Sequence, residues 1–578
     1  MTNAPPPVPG ADGIEEGKRL IRLGSDRGLS LAERISERFQ RLTWRTPIHS
    51  MRLRGRHPLK LIAVADDPFF GDVGRGNALL DGFVTFRGER YPIEAIDFTR
   101  PNWSPAFSDY LHSFAWLRDL STVATRARGA PVAETLLRGW LGAHADKVSD
   151  PVWRADLWGR RILFWTAHAP LILSSTDLVY RSTVLHALAR GARHLDRAAD
   201  RAPVGPPRIA AWAGVLVAGL MIPGGDPRRS FGEAGMKRAL DQSVFSDGGT
   251  VGRSPMGQLD AVMLLGMLVE AYVARRLEPP EFVGATLARM VTALLGVCHG
   301  DKGLACWQGS GPVSGETVQQ VVEATGIRTR PLKQAREWGY QRLSAGRTVL
   351  IVDAAPPPIA RLAEGGCAST LAFELSDGPH RIVGNCGGAR AALAAVPAAL
   401  TEGLRTTAAH STLVIADTNS TAILPDGTLG KGVGEVELNR QETDSYSRIE
   451  ASHDGYVRRH GFLHRRQIQM SADGRDIRGE DMLLPADRRR RKGDTPFAVR
   501  FHLGPNIEIS PTADGLAAIL RTPSNALWQF RCRGGALAIE DSVWIDAQGR
   551  PVPTHQLVIV AQSPAGGTNV SWVFHRAR

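Results

Sequence analysis

A change of hydrophobic period near residue 335 constrains this 578-residue chain more than any other feature. Before it, apolar residues recur every three to four positions; after it, short runs alternate at period two. The first pattern builds helices and the second builds half-buried strands. Phe107, Leu111, Phe114 and Leu117 form one stripe along Pro105–Leu120, and Pro105 suits a first helical turn. The same spacing predicts helices over 132–148, 153–173, 176–195, 207–222, 232–245, 255–277 and 281–298. Short Pro- and Gly-containing links at 203–207, 223–227 and 278–281 make neighbouring helices antiparallel.

From Tyr340 onward, β-rich runs at 347–354, 369–375, 410–417, 465–484 and 497–503 predict strands, and the pattern continues through 517–520, 526–532, 536–544 and 556–561. The sequence Ala-Asp-Gly-Arg-Asp at 472–476 predicts a hairpin turn. Many short strands with little helix predict a sandwich or barrel. Segment 310–332 reads as polar and extended, and 60–68 and 82–88 read as short strands. The expected fold class is therefore α+β in sequential order. Its parts are an N-terminal extension (1–58), a helical domain (59–332) and an antiparallel β domain (333–578).

Composition removes several classes. Apolar stretches such as Ile209–Ile222 fall short of the ~20 residues that span a bilayer, so no transmembrane segment is expected. The five cysteines, at 298, 306, 367, 386 and 532, form no CxxC pair and are odd in number. Reduced, buried thiols are expected rather than a disulfide framework or zinc ribbon. Met1–Gly13 lacks the apolar core of a secretory signal, which points to the cytoplasm; a start site further upstream would leave room for a periplasmic leader. No Walker A loop, dinucleotide fingerprint, HExxH or GxSxG motif is apparent, and no redox or nucleotide cofactor is expected.

The balance of 70 Lys+Arg against 58 Asp+Glu gives a net charge of +12, which favours polyanionic partners. Leu29–Trp44 reads as a basic amphipathic helix, either for a membrane surface or partner, or packed on the body through Leu31, Ile35, Phe39 and Leu42. The run Arg488–Lys492 reads as an electrostatic hook or a solvated loop. Neither feature specifies a nucleic acid.

A set of local motifs, in order, resembles the heparinase II/III-like family. They are LHSFAWLRDL (111–120), VAGLMIPGG (217–225), SDGGTVGRSP (246–255), CHGDKGLACWQG (298–309), GYQRL (339–343), AAHSTLVIADTNS (408–420), SHDGYVRRHGFLHRRQI (452–468), AVRFHLGP (498–505) and ALAIEDSVW (536–544). The resemblance covers most of residues 59–562. It implies an incomplete (α/α) toroid capped by an antiparallel β-sandwich, and β-elimination at a uronate of an acidic polysaccharide. That chemistry needs a donor or cation at the C6 carboxylate, a base for the C5 proton and an acid for the O4 leaving group.

Carried over residue by residue, the resemblance makes His410 the first catalytic candidate. Arg208 stands where the family's Asn/His pair is expected, and Gly257–Gln258 replace the expected Tyr-His pair. Tyr340 and Tyr456 are substitute bases, each with a core or rim position as the alternative. His112, Trp116, Arg118, Arg253 and Gln258 are expected to wall the groove, with His112 and most tryptophans also readable as buried core. His410, Asp417 and His453 are spaced for a structural divalent metal, as in some relatives. The missing tyrosine favours a competing class: a noncatalytic carbohydrate-binding or scaffold protein that keeps the lyase fold.

Overall fold

The computed structural model describes residues 14, 17–22, 51–55, 57–99, 102–359, 365–486 and 493–577. The expected helix at 29–44 and the basic run at 488–492 lie outside them. The helical part runs through Pro105–Ser113 (α1), Trp116–Val123 (α2), Arg126–His144 (α3), Ala155–Ala167 (α4), Leu178–Ala198 (α5), Pro206–Met221 (α6), Asp226–Ser243 (α7), Pro255–Ala274 (α8) and Glu281–Gly296 (α9).

Three expectations are corrected here. The stripe over 105–120 is two helices, because Phe114 adopts a left-handed φ of 65°. Its ring then packs on Trp116, Trp140 and Trp165, which a continuous helix would not allow. Residues 60–68 form no strand; the segment instead lies along the helices, with the Ile62 amide donating to Met221 O at 2.9 Å. Segment 310–332 contains a helix, Gly315–Ala324, capped by Ser314, whose hydroxyl accepts from the Thr317 amide.

Close backbone approach sets the helical core. Gly159 on α4 faces Ala210 and Gly214 on α6, and a Cβ at Gly159 would lie 2.0 Å from the Ala210 carbonyl oxygen. The α8 helix is 20 residues long and apolar enough to cross a membrane, but it is mostly buried among its neighbours and serves as a core helix.

The β part is two antiparallel sheets, one of nine strands and one of eight. The hairpin expected around Gly474 is present, joining Phe462–Ser471 to Asp476–Pro485. Between the sheets lie Phe373, Phe501, Phe530, Trp572 and Phe574. One strand comes from far upstream: Gly17–Arg22 pairs antiparallel with Glu435–Glu442 and forms an edge of the nine-stranded sheet. The N-terminal extension thus completes the C-terminal sandwich.

Gly159→Ala should lower stability by about 2 kcal/mol or more through forced separation of α4 and α6, measurable as a lower urea midpoint with an unchanged slope.

Candidate functional site

The helical and β parts meet around the N-terminal end of α8, the 298–311 loop and the first strands of the eight-stranded sheet. Ser254 caps α8 by accepting from the Gly257 amide, and its hydroxyl also bonds Ser310 at 2.8 Å. Arg253, just before the cap, turns with φ 55° into the β part. Its guanidinium donates to Trp338 O (2.8 Å), Pro356 O (2.7 Å) and the Asp353 carboxylate. It also sits 4.9 Å from the Tyr340 ring centre. Asp353 receives a second bond, from the Ser369 hydroxyl at 2.7 Å, and Gln308 donates to Ser369 at 3.0 Å. All five side chains are buried.

Beside this network lies His410. Its Nδ1 is 2.7 Å from Thr406 O, so Nδ1–H donates there and Nε2 keeps its lone pair. The ring is 1% exposed, and burial lowers its pKa against the opposing pull of the Thr406 carbonyl, Asp353 and Glu374. The loop before it is pinned by His502, whose Nε2–H donates to Ala408 O at 2.9 Å. Following it, the Ser411 amide donates to Asn385 Oδ1, and Asn385 Nδ2 donates to Glu374 at 2.8 Å. Glu374 is fully buried between His299 (2.9 Å) and Arg381 (3.3 Å), and Arg381 in turn grips Asp301 with two bonds.

Comparison with known proteins follows this architecture. Residues 327–573 match the family described as "Heparinase II/III-like, C-terminal". The C-terminal part of the chain is thus similar to heparinase II/III-like proteins. Heparinase III shares its fold at TM-score 0.69 and 14% identity, over 92% of this chain and 89% of that one. Heparan sulfate lyase HepC from Pedobacter heparinus matches at TM-score 0.58 and 14% identity, over 91% and 87% of the two chains. Chondroitin AC lyase of Streptomyces coelicolor A3 matches at TM-score 0.52 and 11% identity, over 93% and 80%. At such identities the likeness is one of fold. FtsZ-localized protein C of Caulobacter vibrioides is 28% identical over 552 residues, 92% of each chain.

Several residues expected to line a groove are instead committed to the chain's own structure. Tyr340 donates its hydroxyl to Arg253 O at 2.6 Å and Tyr456 to Leu413 O at 2.9 Å. Burial raises the pKa of both phenols, the direction opposite to what a base needs. Arg253 is an interdomain tie rather than a wall. Gln258 is fully buried, bonding Gly248 O, Met290 O and the Thr250 amide. Arg118 holds Asp67 bidentately at 2.7 and 2.9 Å, His112 accepts from Trp140 Nε1, and Trp116 donates to Leu111 O. Arg208, half-buried in the first turn of α6, donates to Ala202 O at 2.8 Å and Gln242 at 2.6 Å.

The suggested metal trio is also dispersed in role. His453 bonds the Gly455 amide and His464, and Asp417 is exposed. Among the described residues no group of three or more His, Cys, Asp or Glu is placed to hold a metal ion. Sequence reasoning missed Asp353, Glu374, Gln308, Ser369 and Asn385. The motif CHGDKGLACWQG contains His299, Asp301 and Gln308, but their partners lie 60 to 80 residues downstream, in two strands and the loop before them.

Asp353→Asn, which leaves Arg253 buried without its counter-charge, should cost about 3–5 kcal/mol in chemical denaturation. A second expectation concerns pH. Burial holds His112 near a pKa of about 2, His502 about 3 and His299 about 4, so each stays neutral in the folded chain. In the unfolded chain they protonate below about 6.5. The unfolded state then binds more protons, and stability falls as pH drops below that value, by about 1.4 kcal/mol per pH unit for each such proton. Melting temperatures measured from pH 7 to 5 should decline accordingly.

Proposed function

We propose that this chain is a lyase-fold protein that works by binding rather than by elimination, as a cytoplasmic scaffold that localises with FtsZ. The observation that carries the reading is the commitment of the expected catalytic partners. Tyr340, Tyr456, Arg253 and Gln258 are buried in internal hydrogen bonds, and Arg208 is already held by Ala202 and Gln242. Elimination needs a carboxylate clamp and a base together. The relative that matches over 92% of both chains is named for its localisation with FtsZ, not for an activity.

A second reading keeps the enzyme: a carbon–oxygen lyase cleaving a uronate-containing polysaccharide by β-elimination. His410 favours it, because its locked Nδ1–H leaves Nε2 as a proton acceptor near Asp353 and Glu374.

Incubation with a panel of acidic glycans, followed at the absorbance of the unsaturated uronate, separates the two. The scaffold reading expects no product and a fluorescent fusion that tracks FtsZ in the cell. Product formation that disappears in His410→Ala would establish the lyase instead. A fusion spread evenly through the cell would remove the FtsZ assignment.

A further inference from the structure

Away from His410, the chain carries a cleft of about 270 Å³ between the 301–314 loop and the β-sandwich. That volume suits one pyranose ring. Prolines at 312, 379, 505 and 523 rim it, and Asp301, His380, Arg381, Asn506 and Trp544 supply its polar and aromatic groups. Trp544 is held rigidly: its ring lies over Gly384, where a Cβ would come within 2.8 Å of Cζ3. The residue is only 5% exposed, yet its indole N–H makes no hydrogen bond within the described residues. The side chains of Asn506 and His380 are likewise without a hydrogen bond there. The rimming prolines offer apolar contacts for sugar C–H groups, and the edge of a rigid indole with a donor to spare, beside an amide and an imidazole, offers directed bonds for hydroxyls.

The charges select among sugars. Arg381 is the arginine of this cleft, and it is shared between Asp301 (2.9 and 3.0 Å) and Glu374 (3.3 Å). Arg381 in turn holds the Asp301 carboxyl below its usual range, so Asp301 stays ionised. One guanidinium facing two carboxylates has no positive charge left for a ligand carboxylate, and Asp301 repels one. We infer that this cleft is a binding site for an uncharged pyranose, separate from His410. The site does not depend on whether the chain performs elimination. It is nevertheless joined to the His410 loop through Arg381, Glu374, Asn385 and Ser411.

Methyl β-glucopyranoside and methyl β-glucuronide differ only in the group at C6, neutral in one and anionic in the other. Saturation-transfer NMR with the full-length chain should show the glucoside bound and the glucuronide bound at least about fivefold more weakly. Asn506→Gly, which keeps the left-handed backbone at φ 61°, should weaken glucoside binding, as should Trp544→Phe, which removes the N–H but keeps a ring. His410→Ala should leave it unchanged. The inference is overturned by no transfer from the glucoside, by preference for the glucuronide, or by full transfer in both Asn506→Gly and Trp544→Phe. Loss of transfer in His410→Ala alone would assign the sugar to the groove and overturn it equally.

Discussion

The two parts of this chain are held in one arrangement by a buried ion pair, Arg253 with Asp353, whose side chains are 4% and 0% exposed. Removing two charges from water costs several kcal/mol per ion, and the cost is met only when every donor and acceptor finds a partner. Here the guanidinium bonds two main-chain carbonyls and lies near the Tyr340 ring, while the carboxylate takes a second bond from Ser369. Such a pair tolerates little displacement. The cap of α8, the 308–310 loop and the first sheet strands are therefore fixed together, and His410 inherits its position from them.

Within the helical part a buried charge is surrounded differently. Arg161 is 0% exposed and forms no carboxylate ion pair among the described residues; it donates to His112 O and Val152 O and stacks 4.3 Å from both Trp140 and Trp158. Two of the tryptophans that could be assigned either to sugar stacking or to core, Trp140 and Trp158, thus flank a buried cation. Nine tryptophans are among the largest fully buried side chains, which settles most of them as core.

The same economy governs the surface expected from a net charge of +12. Arg118 belongs to Asp67, Arg154 to Asp109 and Asp156, Arg160 to Asp260, Arg228 to Asp196 and Arg381 to Asp301. These arginines are already held by intramolecular carboxylates, so the net charge does not by itself say how strongly any one cleft attracts an acidic glycan.

The sequence by itself determined the class and order of structure. Period-3.6 stripes up to Cys298 and period-2 runs after Tyr340 are local properties, fixed by which side of an element each apolar residue faces. It also made His410 a candidate, because a motif is contiguous. It could not show that Phe114 would break a helix, since that depends on Trp140 and Trp165 closing around the ring. Nor could it show that Gly17–Arg22 would join a strand more than 400 residues away. The roles of Arg253, Tyr340 and Gln258 were decided only by tertiary structure. A polar side chain points to solvent or inward according to whether a partner waits inside, and Asp353, Met290 O and Trp338 O come from distant segments. Local pattern records what a residue can bond; only the folded chain supplies what it does bond.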